Sequence, residues 1–248
     1  MTTIFGTQTT EGLEETSDTL GGGGFIRESG AVTGTITAMY AGKAANSKAM
    51  SVTIILKDDA GKEYRDTVWV TNRDNKNFYV DKKDESKKRE LPGWTTIDEL
   101  CLVTTNQGLA EQVSEEKTMN IYDFDAKKEI PTAVQMFTGV LGKKVTLGVL
   151  KETKNKQKKG DDGVYVDTDE SRDENVIDKI FHHPSNLTVV EARKQIQTPA
   201  FYPAWVEKNT GQTRDRRKVG GAQGGRSGRP GMPPKAGESA KATNSLFG

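Results

Sequence analysis

Residues 32–41 read VTGTITAMYA. Val32, Gly34, Ile36, Ala38 and Tyr40 alternate with Thr33, Thr35, Thr37 and Met39. A period of two, rich in β-branched residues, predicts a strand that presents one face to a core. The same kind of pattern follows twice. MSVTIILK at 50–57 predicts a second strand, and EYRDTVWVT at 63–71 a third. Gly42–Lys48 reads as the first turn, and Asp58-Asp59-Ala60-Gly61 is hairpin-turn chemistry. Three antiparallel strands joined by short turns form a meander.

Beyond the meander the apolar signal thins. Residues 72–90 are almost wholly polar apart from Phe78, Tyr79 and Val80, and they read as a loop, as do 106–128 and 151–173. Residues 94–105 predict a helix. Thr96 stands as its cap, and Ile97, Leu100, Cys101 and Val103 form its apolar face. Val145–Glu152 and Glu174–Phe181 alternate as two further strands. Thr188 and Glu191 have capping-box spacing for a short helix, and residues 199–208 predict another. The fold class is mainly β with short helices (α+β). The element order matches a five-stranded OB-fold-like barrel with long loop insertions, although other small barrels and sandwiches give a similar order. Three segments are expected: a flexible arm at 1–24, ending in Gly21–Gly24, whose ordering is entropically costly; a folded domain at 25–208; and a disordered Gly/Pro-rich tail at 209–248.

Charge is unevenly distributed. The chain has 248 residues with 36 bases and 35 acids. Residues 209–248 hold eight of those bases (Arg214, Arg216, Arg217, Lys218, Arg226, Arg229, Lys235 and Lys241) and two of the acids, Asp215 and Glu238. That leaves 28 bases against 33 acids elsewhere, so an acidic body carries a basic tail. Such a tail suits an anionic partner, most commonly nucleic acid. One cysteine, Cys101, excludes an intramolecular disulfide and points to a reducing compartment. No apolar run approaches membrane-spanning length, so no membrane association is expected. The N-terminal residues lack the order of a secretory signal, which points to the cytoplasm.

Catalytic signatures are missing. The two histidines, His182 and His183, are adjacent and would point to opposite faces of a strand, so they cannot easily share a metal. Phosphate-loop, nucleophile-elbow and zincin motifs do not occur. The chain is therefore expected to be non-enzymatic, with no cofactor and no metal. Single-stranded nucleic acid is held by aromatic rings that stack bases and by cations that follow phosphates, and both recur together here. Tyr40 precedes Lys43 and Lys48. Arg65 and Trp69 share one face of the third strand, opposite Tyr64, Val68 and Val70. Arg73, Lys76, Phe78 and Tyr79 follow. Arg214, Arg216, Arg217 and Lys218 open the basic tail and complete the candidate set.

Several stretches resemble the single-stranded-DNA-binding proteins of tailed bacteriophages, particularly those of the schitovirus type. They are TTIFGTQTTEGLEE, KEYRDTVWVTNRDNKNFYVDKKD, LPGWTTIDELCLVTT, NIYDFDAKKEIPT, NVIDKIFHHPSNLTVVEAR and KNTGQTRDRRK, which together cover most of residues 1–218. The resemblance implies an OB-type barrel that coats single-stranded DNA during phage replication, repair and recombination in the cytoplasm of the infected host. Phage replication proteins and the host RNA polymerase are implied as further partners. The alternative role is a protein-binding adaptor or transcription co-activator acting on that polymerase. The basic end departs from the acidic tails with which many such proteins recruit partners.

Overall fold

The computed structural model describes residues 26–81, 84–123, 126–160 and 165–218. The expected arm at 1–24 and the tail from 219 onward lie outside them.

The meander forms as expected. β1 (Gly30–Lys43), β2 (Met50–Asp58) and β3 (Glu63–Trp69) pair antiparallel in that order. The turn between β2 and β3 is closed by Gly61, at φ +80°, whose N–H donates to the Asp58 carbonyl at 2.9 Å. On its other edge β1 takes two partners in succession. β8 (Lys144–Lys159) pairs with residues 30–35 of β1, and β7 (Lys128–Phe137) pairs with Tyr40 and Ala41. β9 (Tyr165–His182) lies antiparallel along the far edge of β8. β10 (Thr213–Asp215) runs parallel to β8 beyond the end of β1.

A bulge between Ile36 and Ala38 corrects the single face expected for residues 32–40. One extra residue on β1 inverts the side-chain alternation. Val32, Ile36 and Met39 therefore enter the main core with Val52, Ile54, Leu56 and Tyr64. Ala38 and Tyr40 go to the opposite face, where Ile55, Val134 and Met136 cover them.

The stretches expected to be loops are largely hairpins. β4 (Phe78–Asp81) pairs with β5 (Asp84–Glu90) as a separate two-stranded sheet, and β6 (Ser114–Asp123) pairs with β7. The β8–β9 ladder continues outward to Lys159↔Tyr165. Both faces of that projecting arm meet water, so no apolar alternation marks it. Cross-strand charge pairs take the place of a core: Lys156 meets Glu170 at 2.9 Å, and Lys154 meets Glu174.

α1 (Pro92–Thr105) closes one end of the main core with buried Ile97, Leu100 and Cys101. Cys101 is a packing residue whose thiol burial pushes up to about 12. Thr96 does not cap this helix. The helix begins earlier, with Pro92 at the start, where a missing N–H costs nothing. The Thr96 hydroxyl instead donates to the Pro92 carbonyl at 2.9 Å. The box at α2 (Val189–Arg193) forms as read: Thr188 Oγ1 accepts the Glu191 N–H, and Glu191 accepts the Thr188 N–H. α3 (Phe201–Asn209) packs Trp205 against Leu150 and Phe181 on the outer side of β8 and β9.

The sheet is open. Among the described residues β3 pairs only with β2, and β9 only with β8, so no ladder there joins its two ends. Asp66 of β3 spans the gap, accepting the Ile177 N–H of β9 at 3.3 Å and its neighbour Thr67's N–H at 2.7 Å. Burial raises the Asp66 pKa, against the opposing pull of those N–H donors. The folded state thus holds this proton more tightly than the unfolded chain. The group's contribution to stability is largest in acid and is lost as pH rises through the raised value. Asp66→Asn should gain stability relative to the parent as pH rises from below about 4, the ordinary carboxylate range, to neutrality. Urea midpoints across that range measure it, and a relative loss with rising pH would contradict it.

The close approach of α1 to β3 gives a second test. A Cβ on Gly93 would stand 2.1 Å from the Trp69 carbonyl oxygen and 3.0 Å from Val68. Gly93→Ala should destabilise by about 1–3 kcal/mol through overpacking, lowering the urea midpoint at constant slope.

Candidate nucleic-acid interface

Strand parity turns Arg65, Thr67 and Trp69 outward from β3, because Tyr64 and Val70 are buried in the core. Across the ladder they face Ile55, Thr53 and Ser51 of β2. Thr53 and Thr67 share a hydroxyl–hydroxyl hydrogen bond of 2.9 Å, which knits the face between the two larger side chains. Trp69 is 51% exposed, while its backbone lies against the start of α1 at Gly93. The indole is thus an open ring on an anchored main chain.

Tyr40 is not a second open ring. It is 5% exposed, packed among Ala38, Ile55, Val134 and Met136. The bulge in β1 put it there, and the β6–β7 hairpin covers it. Its hydroxyl accepts Arg65 Nη2 at 2.7 Å. Tyr40 therefore positions the guanidinium, and no base can stack on it.

The neighbouring turns bring cations to one end of this face. The Lys48 N–H donates to the Arg73 carbonyl at 3.1 Å, tying the β1–β2 turn to the loop after β3. Asn72 shapes that loop, its side-chain oxygen accepting the N–H groups of Asp74 and Lys76 at 3.0 and 2.9 Å. Lys43, Lys48, Arg73 and Lys76 are all exposed, and no carboxylate among the described residues forms an ion pair with them. Phe78 and Tyr79 sit apart, on the β4–β5 sheet. Lys88 Nζ lies 4.8 Å from the centre of the half-buried Phe78 ring. Tyr79 is exposed, paired across the ladder with Arg89.

The basic residues 214–218 are placed differently from a disordered tail. Asn209 still belongs to α3, and residues 213–215 are β10. Arg214 and Arg216 both reach Glu152, at 3.3 and 3.4 Å; Arg217 pairs with Asp215 at 2.7 Å and Lys218 with Asp167 at 2.8 Å. Glu152 is buried and also meets Lys154 at 3.2 Å. Arg214, Arg216 and Lys218 fasten β10 and the residues after it to the arm, Arg217 pairs within the segment, and the charge of all four is largely answered within the chain. Lys88 and exposed Tyr165 on β9 were missed by the sequence reading because both lie in stretches read as loops. The short alternation of YVDTD at 165–169 was the available signal.

For other chemistries the described residues offer little. No group of three or more His, Cys, Asp or Glu side chains among them is arranged to hold a metal ion. His182 Nδ1 is hydrogen-bonded to Ser185 Oγ at 2.8 Å within a turn. No helix among the described residues is long and apolar enough to cross a membrane. No protein-family model, curated protein or solved structure matches the chain.

The exposed indole makes a direct prediction. Trp69→Ala should weaken binding to oligo(dT) by about 1–3 kcal/mol, the value of one base–aromatic stack, and Trp69→Phe should recover part of it. A fluorescence-anisotropy titration reads both, and an unchanged Kd for the alanine variant would remove Trp69 from the interface.

Proposed function

We propose that this protein binds single-stranded DNA without strong sequence preference, and that it does so on the outer face of β3. The observation that carries the reading is the juxtaposition of an open indole, Trp69, with a guanidinium held by Tyr40 and four cations without carboxylate partners. Bases stack on the indole, and Arg65, Lys43, Lys48, Arg73 and Lys76 meet the phosphates. Phe78 and Tyr79 extend the path along the β4–β5 hairpin. No enzymatic step and no cofactor is part of this reading.

We further infer an OB-type barrel in split form. β1, β2 and β3 make the meander, α1 follows as the helix at one end, and β8 and β9 supply the last two strands. The β4–β5 and β6–β7 hairpins are insertions before β8. Asp66 marks where the barrel would close. In such a fold the second and third strands with their adjoining loops are the usual binding face, which is where Arg65 and Trp69 lie. The phage resemblance supports the setting: replication, repair and recombination of phage DNA in the cytoplasm of the bacterial host.

A mobility-shift comparison of single-stranded DNA, duplex DNA and RNA at two salt concentrations tests the reading. Single-stranded DNA should bind most tightly, and equal or tighter binding of duplex would overturn it. Each neutralised phosphate contributes about −0.7 to the slope of log K against log salt for single strands. Lys48→Ala and Arg73→Ala should each reduce the slope by about that much. Arg217→Ala should leave it unchanged, because Asp215 already answers that charge.

A further inference from the structure

Two exposed surfaces of the described fold complement each other in shape and charge. The first is a trough of about 510 Å³ between α2 and α3, with a floor of Val190, Ala200, Phe201 and Ala204. Val190 is 51% and Phe201 42% exposed, so the floor is open to water. A second hollow of about 290 Å³ shares Phe201, Ala204 and Lys179 and continues along α3 to Lys208 and Asn209.

The rim of the trough is cationic. Lys179 Nζ lies 5.9 Å from the Phe201 ring centre, and Lys194 and Lys208 line the two hollows. None of these three lysines forms an ion pair with a carboxylate among the described residues. The acids nearby are largely occupied. Glu191 accepts the N–H groups of Thr188, Ala200 and Phe201 at 2.8–2.9 Å. Asp178 accepts the Trp205 Nε1–H at 2.8 Å and meets Arg214 at 3.5 Å. Glu99 is half-buried at the edge. The complement of such a surface is an apolar knob among carboxylates.

The stretch between α1 and β6 supplies one. Residues 111–116 read EQVSEE. Val113 is 72% exposed, the most of any large apolar side chain among the described residues. Glu111, Glu115 and Glu116 beside it are exposed. Glu111 accepts the Gly108 N–H at 2.8 Å and Glu115 lies 3.6 Å from Lys117, while Glu116 has no ion pair among the described residues. Gln112 is extended and β6 starts at Ser114, so residues 112–116 span up to about 17 Å. The nine residues of α3 are about 13 Å long, so segment and trough are of similar length. Other exposed apolar side chains stand beside cations: Trp69 with Arg65, Tyr79 opposite Arg89 and Val166 opposite Lys158.

We propose that copies of this chain associate by seating Val113 of one copy in the α2–α3 trough of the next, with Glu115 and Glu116 facing Lys179, Lys194 and Lys208. The two surfaces differ, so the contact is heterologous, and each pair keeps a knob and a trough for further copies. One knob and a few charge pairs make a small interface, so association rises with concentration. The inference does not rest on the function proposed for the β3 face.

Sedimentation velocity of the full chain, freed of nucleic acid, tests it. The average mass should rise above that of one chain as concentration increases. It should fall back at about 0.5 M salt, where the screening length is only a few ångströms. Lys194→Glu in the trough and Val113→Ser on the knob, both at exposed positions, should each weaken association by about tenfold, the scale of losing one central interface contact. An equimolar mixture of the two variants should recover one-to-one pairs and nothing larger, because each supplies the surface that the other lacks. A variant that had merely unfolded could not do so. A single-chain mass at every concentration would overturn the proposal, as would association that both variants leave unchanged or a mixture that fails to pair. Photocrosslinking of oligo(dT) to Phe201 would also overturn it, assigning the trough to nucleic acid.

Discussion

The bulge in β1 is the constraint on which the rest of the architecture depends. One inserted residue, Thr37, makes a single strand serve two packed layers. Before it, β1 gives Val32 and Ile36 to the main core and pairs with β8; after it, Ala38 and Tyr40 face away and β1 pairs with β7. Without the inversion the β6–β7 hairpin would meet Thr37 and Met39 in place of Ala38 and Tyr40, and Val134 and Met136 would lose the tyrosine ring they now cover. Tyr40 would then be a core residue, and Arg65 would lose the hydroxyl that orients it. The exposed strip on β3 is therefore what remains of an outer face whose other part the hairpin has taken.

Charge follows a comparable logic of local satisfaction. The chain is rich in lysine and arginine, but most of those on the β8–β9 arm are matched across the ladder or gathered on buried Glu152. Such pairs add little stability individually. They do hold a two-stranded arm with wet faces in register and fix β10 beside it. The cations left unmatched near Trp69 are distinguished by having no such role. A long-range attraction for a polyanion resides in the unmatched ones, because a paired cation presents a dipole whose field falls off faster than that of a net charge.

How much of this was legible in the sequence depended on whether a side of each element is dry. β1 to β3, the inner ends of β8 and β9 and the box at Thr188–Glu191 all left an apolar or capping signature that could be read directly. The β4–β5 hairpin and the outer β8–β9 arm left none, since a ladder wet on both faces carries no alternation and its stabilising partners are charges far apart in sequence. The bulge was equally hidden: VTGTITAMYA alternates without interruption, and only pairing with β2 shows where the extra residue falls. That one offset moved Tyr40 off the face it shares in the sequence pattern with Val32 and Ile36 and onto the opposite one, beneath the β6–β7 hairpin. Arg65 and Trp69 were legible because β3 has no irregularity and both its neighbours in register, Tyr64 and Val70, are firmly in the core.

A half-exposed tryptophan on a regular strand carries a cost, since roughly half of a large apolar surface stays in water that burial would have removed. The surroundings of Trp69 show how that cost is confined. Its main chain is pressed from below by Gly93 at the start of α1, where only a residue without a Cβ fits. The β2 partner opposite it is Ser51, small enough to leave the ring uncovered. A larger partner would bury the indole and stabilise the strand while closing the face. A looser backbone would keep the ring open but would add an ordering cost to any contact made there. The combination present, a small cross-strand neighbour and a closely packed main chain, leaves the ring accessible, as a stacking surface requires.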